Sequence, residues 1–175
     1  RNIRIPVATP GAQSAFYVDP FFQNPYSNQW NAEVQHELPD GSVLSVAYVG
    51  SHNLRMPVSG VYNTALTPGP GAIAPRQLFP YAPVTNYDRS VGQSTYHALQ
   101  VKTERRLARG LSYLLTYTWS KSIDWGSSGQ FNESLSIQNP YVPSDSKSVS
   151  GYDIPHMFSA AVMYGQLTTG KPALV

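Results

Sequence analysis

The chain of 175 residues has no cysteine. That removes disulfide scaffolds, thiolate nucleophiles and Cys-based zinc sites. Charge is scarce as well. Asp, Glu, Lys and Arg make up 13% of the residues, about half the share usual in soluble domains. The formal net charge of +2 is too small to argue for nucleic acid or an anionic surface, so no nucleic-acid partner is expected. No run of 18 apolar residues occurs, so no transmembrane helix is available. The chain starts at Arg1 with no basic n-region or apolar h-region, as expected of a fragment or processed product. Tyrosine, by contrast, is frequent, at 12 residues.

Residues 94–125, STYHALQVKTERRLARGLSYLLTYTWSKSIDW, carry the plainest pattern. His97, Leu99, Val101, Thr103, Arg105 and Leu107 alternate with Tyr96, Ala98, Gln100, Lys102, Glu104 and Arg106. After Ala108-Arg109-Gly110, the set Leu111, Tyr113, Leu115, Tyr117 and Trp119 alternates with Ser112, Leu114, Thr116, Thr118 and Ser120. Period two predicts β-strands, and a three-residue connection containing Gly predicts a hairpin. The runs exceed the ordinary strand length of about 5–6 residues. Such a hairpin, greasy on one side and charged on the other, suits half a soluble sandwich or the wall of an outer-membrane barrel.

The rest of the chain separates these two. Residues 1–26 hold Pro6, Pro10, Pro20 and Pro25 and predict a loop in which Phe16, Tyr17, Phe21 and Phe22 pack locally. Residues 27–38 alternate, Pro39-Asp40-Gly41 predicts a tight turn, and 42–53 return, giving a hairpin over 27–53. A long connection spans 54–93, with 84–90 a short strand inside it or at its rim. The hairpin 94–123 follows, then a polar Ser-rich connection over 124–154 and a strand over 155–167, with a further short turn at 168–171. Short and long connections therefore alternate, as periplasmic turns and extracellular loops do in membrane barrels. A structureless connection of that length inside a compact soluble domain would be unusual. The expected fold is all-β: an antiparallel up-and-down meander, a partial transmembrane β-barrel wall of about five long strands over 1–175.

This assignment yields candidate residues. Trp30, Tyr117, Trp119 and Phe158 fall near one set of strand ends, and Tyr113 and Tyr164 near the other, where aromatic girdles sit. Tyr48, in mid-strand, is the exception. Glu33, Gln35, Gln100, Lys102, Glu104 and Arg106 take the opposite parity and are candidates for a water-filled lumen, solvating it and pairing across strands. No catalytic, cofactor or metal site is expected. His36, His52, His97 and His156 lack ligand spacing. Gly126-Ser127-Ser128-Gly129 does not match a nucleophile elbow, and it reads as a loop tip. Asp124, Asp145 and Asp153 lack calcium-loop spacing and read as solvated turn residues. Asn132-Glu133-Ser134 is a formal glycosylation sequon. No catalytic constellation assembles, and we expect no enzyme.

Six phrases in order add a resemblance. They are NPYSNQWN at 24–31, ELPDGSVLSVAYVGS at 37–51, TYHALQ at 95–100, RRLARGLS at 105–112, YTWSKSID at 117–124 and DIPHMF at 153–158. Together they resemble the β-barrel of TonB-dependent receptors, most closely the Oar-like group, whose members carry a carboxypeptidase-regulatory-like domain ahead of the plug. Leu107 stands where that family favours an aromatic residue, and Met157 where it favours Arg. The resemblance implies a bacterial outer-membrane barrel of about 22 strands, a plug inside it, outer-membrane lipid around it, and solute uptake driven by the TonB energy-transducing complex. The alternative is a soluble or surface-displayed β-sandwich that binds a ligand such as glycan through loop aromatics.

Overall fold

Two tight turns set the course of the chain. In the computed structural model, which describes residues 16–67, 69–71, 85–126 and 135–165, the first turn runs from Leu38 to Ser42. Gly41 N–H donates to Leu38 O (2.9 Å) and Leu38 N–H to Ser42 O (2.8 Å). Pro39 suits the first turn position, and Gly41, at φ 78°, takes the left-handed one. The second turn holds Arg109 at φ 52° and Gly110 at φ 81°. Two successive positive φ angles suit a two-residue turn whose twist matches the flanking strands. Ala108, expected in the connection, therefore stays in the strand.

The strands in chain order are β1 (Phe16–Val18), β2 (Tyr26–Glu37), β3 (Ser42–Tyr62), β4 (Thr85–Ala108), β5 (Leu111–Asp124), β6 (Leu135–Ser136), β7 (Ser148–Val149) and β8 (His156–Tyr164). A short 3-10 turn covers Pro143–Ser146. All eight strands form one sheet of order β2-β3-β4-β5-β7, with β8 on β5, β1 on β4 and β6 on β3. The five long strands of the expected meander are β2, β3, β4, β5 and β8.

The pattern missed two things. β3 runs on to Tyr62 and β4 starts at Thr85, so both ends of the supposed 54–93 connection are strand. Pro57, Gly60 and Gly92 broke the alternation that would have shown it. The antiparallel meander also carries two short strands, β1 and β6, that the pattern did not show. β3 has 21 residues against 12 in β2, and β4 has 24 against 14 in β5. The surplus backbone needs partners. β6 takes Val58 and Ser59, and β1 takes Asn86 to Asp88, both in parallel.

The chain divides into two compact units. One comprises Arg1–Ser27, Asn53–Ser94 and Ile123–Tyr152, and thus both long connections. Its apolar centre is Val58, Tyr87 and Ile137, with Tyr62 edge-on to Tyr87 at 5.5 Å. Gly60 leaves room there, since a β-carbon would already touch Ile137, Pro140 and Tyr87 at 3.4 Å. The expected local packing fails for three of the first aromatics, Phe21 being 84% exposed and Tyr17 and Phe22 exposed too, while the side chain of Phe16 lies outside the described residues. The segment instead hangs on polar bonds, with Asp19 N–H on Asp88 O and Gln23 N–H on Ser90 Oγ. The other unit comprises Asn28–His52, Thr95–Ser122 and Asp153–Val175, with both tight turns. Residues 1–15, the tip at 127–129, the sequon and the turn at 168–171 lie outside the described residues.

Candidate functional site

The second unit is the site, because its strands present two chemically different faces. Register shows this for β5 and β8, where Leu111 is opposite Tyr164, Tyr113 opposite Val162, Leu115 opposite Ala160 and Tyr117 opposite Phe158. Opposed residues share a face. Tyr113, Tyr117, Trp119, Phe158 and Tyr164, all expected as girdle residues, therefore share one face with Leu115 and Val162. Ser112, Leu114, Thr116 and Thr118 take the other, opposite Met163, Ala161, Ser159 and Met157.

In β2 to β4 side-chain contacts show the same division. Trp30 covers Gly50 so closely that a β-carbon there would lie 2.4 Å from the indole. Its ring is 6.0 Å from that of His97, which stacks on Tyr48 at 6.1 Å and 16°. The Tyr48 hydroxyl and His97 Nδ1 are hydrogen-bonded at 2.7 Å. The mid-strand Tyr48 thus has a polar partner for its hydroxyl. The same arrangement recurs at Tyr117 and His156, stacked at 18° with the hydroxyl 2.8 Å from Nδ1. An aromatic ring at a wet-dry boundary needs such a partner.

The polar candidates sit at alternate positions of β2 and β4. Gln35 Nε2 donates to Glu33 Oε1 at 2.8 Å, and Lys102 Nζ lies 3.0 Å from Glu104 Oε2. These pairs run along single strands, two residues apart, whereas cross-strand pairs were expected. Gln100 and Arg106 are exposed and share the parity of Lys102 and Glu104. Arg105 is better covered than its neighbours and reaches the Asp40 carboxylate at 3.9 Å.

Two aspartates correct their reading as solvated turn residues. Asp153, whose side chain is 5% exposed, accepts hydrogen bonds from Lys121 Nζ (2.7 Å) and Ser122 N–H (2.6 Å). Lys121, then the Ser122 amide, holds its carboxyl below the usual range. Asp124 is buried and accepts from Gly126 N–H at 3.1 Å. Next to Asp153, Ser120 Oγ donates to Ile154 O (2.8 Å) and Ser120 N–H to Pro155 O (3.0 Å). The phrases YTWSKSID and DIPHMF, far apart in sequence, are thereby bonded to each other. At the first turn Asp40 accepts from Ser42 Oγ (2.6 Å) and Ser42 N–H (3.1 Å), and these bonds, the hydroxyl first, hold its carboxyl low.

Among the described residues no group of three or more His, Asp or Glu could hold a metal ion. No described helix is long and apolar enough to cross a membrane, which says nothing of strands. Sequence reasoning passed over Arg55 and Arg89, which line a cleft in the first unit. Nothing in the period-two pattern marks them.

A family model described as outer membrane beta barrel domain matches residues 2–172. Comparison with curated proteins and with solved structures finds no match.

Proposed function

This chain belongs to the outer membrane beta barrel domain family, and on that premise we propose that it forms wall of a TonB-dependent receptor that takes up a solute. Membership places the protein in the bacterial outer membrane, in contact with its lipid. The observation that carries the reading is the pair of unlike faces. Both faces of β2 and β8 are exposed, Met163 at 68% included, and on one of them stand the aromatic and branched side chains Phe158, Val162 and Tyr164 of β8, each more than 60% exposed, with Val34 of β2 at 73%. Such a surface in water would be an aggregation hazard, whereas lipid covers it without further protein. The other parity of β2 and β4 offers Glu33, Gln35, Lys102 and Glu104 to a wet lumen.

Uptake through a plugged, energised barrel is supported by the six ordered phrases, two of which the hydrogen bonds of Ser120, Lys121 and Ser122 join. Closing a barrel takes about eight strands or more, so the five long strands work with others in the complete wall. The plug and the TonB complex are partners of that whole receptor, and this chain carries no catalytic step.

The test is solute depletion from defined medium by three otherwise identical strains: expressing the protein, lacking it, and expressing it without TonB. Uptake is expected only in the first. Equal depletion by the first and third would remove the energised reading.

A further inference from the structure

We propose that the cleft of the first unit binds a sugar acid, a hydroxylated ring carrying one carboxylate. The cleft measures about 500 Å³ and is lined by residues that include Tyr26, Arg55, Arg89, Ser90, Gln93 and Trp125. That is the size of an ordinary small-molecule site. The proposal deepens the transport reading and rests on it for its biological setting alone.

The two arginines differ in what already holds them. Arg89 is matched: its Nε lies 3.6 Å from the Asp19 carboxylate, and it donates to Tyr87 Oη (3.0 Å) and Pro140 O (3.5 Å). Arg55 lies over the Tyr26 ring, with Cζ 5.1 Å from the centroid, and no carboxylate pairs with it among the described residues. A stacked guanidinium still presents N–H donors at its edge in a fork that fits a carboxylate. One cation with no carboxylate partner among the described residues suits a monoanion better than a polyphosphate. Arg55 also stands at φ 57°, the left-handed region that a long side chain seldom adopts. Such backbone is retained where the surroundings enforce it, often at ligand sites.

The rest of the lining selects the body of the anion. Trp125 offers a flat face, on which the C–H side of a sugar ring packs. Ser90, Gln93 and Ser144 supply hydroxyl and amide groups. A purely aromatic acid would make no use of the Gln93 amide or the Ser144 hydroxyl, and a neutral sugar would leave Arg55 without a carboxylate partner among the described residues.

The experiment uses the protein purified from outer membranes in detergent, with binding read by calorimetry and by tryptophan emission. The probes are glucuronate, glucose and inorganic phosphate. Glucuronate is expected to bind roughly tenfold or more tightly than either of the others, the share of a charge-assisted pair. Arg55→Gln should bring glucuronate down to the level of glucose, and Trp125→Phe should abolish the emission change that Trp119→Phe leaves intact. Equal binding of glucuronate and glucose, no binding of glucuronate, or unchanged affinity in Arg55→Gln would overturn the proposal. Should Arg55→Gln fail to fold, Arg55→Lys is read instead: weakened affinity with preference kept supports the site, and unchanged affinity overturns it. No energy source enters the assay, so loss of uptake with binding retained would count against transport alone.

Discussion

Asp153 and Asp40 each hold a connection to the strand beside it. Both carboxyls titrate below the ordinary value of about 3.9. A depressed folded value means that the stability is present above the unfolded value and lost as pH falls through the folded one. Acid should therefore weaken the fold below about pH 4. Asp153→Asn should lower the thermal midpoint at neutral pH and flatten that acid loss, as read by melting in detergent across pH. A variant with the parent's acid profile would contradict the anchoring role. The Asp153 anchor was not legible locally. Asp153 lies about 30 residues beyond Lys121, and only the docking of β8 on β5 brings them together. Pro39-Asp40-Gly41, by contrast, was legible because its turn chemistry is written in three adjacent residues.

Gly92 and Leu115 test the account at the level of single strands. β4 looked too broken for a strand where Gly92 falls, yet the glycine is what allows the packing. A β-carbon there would lie 2.6 Å from Val58 Cγ2 and 2.9 Å from Met56 O. Gly92→Ala should cost about 1–3 kcal/mol of stability, the range of an overpacked core, measured by unfolding in detergent. A neutral result would mean that the two strands do not approach so closely. On β5, Leu115 shares its face with Tyr117, Phe158 and Val162, and Thr116 takes the other. Leu115→Arg in the lipid-embedded protein should cost about 2–4 kcal/mol, and Thr116→Arg should be tolerated. Equal losses at both positions would refute the division of faces. Within β5 and β8 this division was readable from alternation, because side-chain parity survives any sheet geometry. The parallel additions of β1 and β6 were not, since two- and three-residue pairings leave no period to detect.

At the scale of the whole molecule, one sheet holds every described strand, and among described residues only Val58, Tyr87, Ala98 and Ile137 are buried apolar side chains. A soluble sandwich needs a second sheet to close over its greasy face, and the described residues form no second sheet. The meander of long strands was legible in the spacing of short and long connections. The cleft was not, because its residues come from β2, β3, β4, the residue after β5 and the 3-10 turn, and their meeting depends on the extended strand ends that Pro57 and Gly60 concealed. The most direct test of the central claim places the aromatic face in lipid. Variants retaining only Trp30 or only Trp119 are folded into vesicles whose acyl chains carry bromine. Both indoles are exposed on the protein surface, Trp119 by 57% and Trp30 by 42%. Brominated lipid is expected to quench both emissions strongly while aqueous iodide barely touches them. Quenching by iodide with no effect of bromine would contradict that claim.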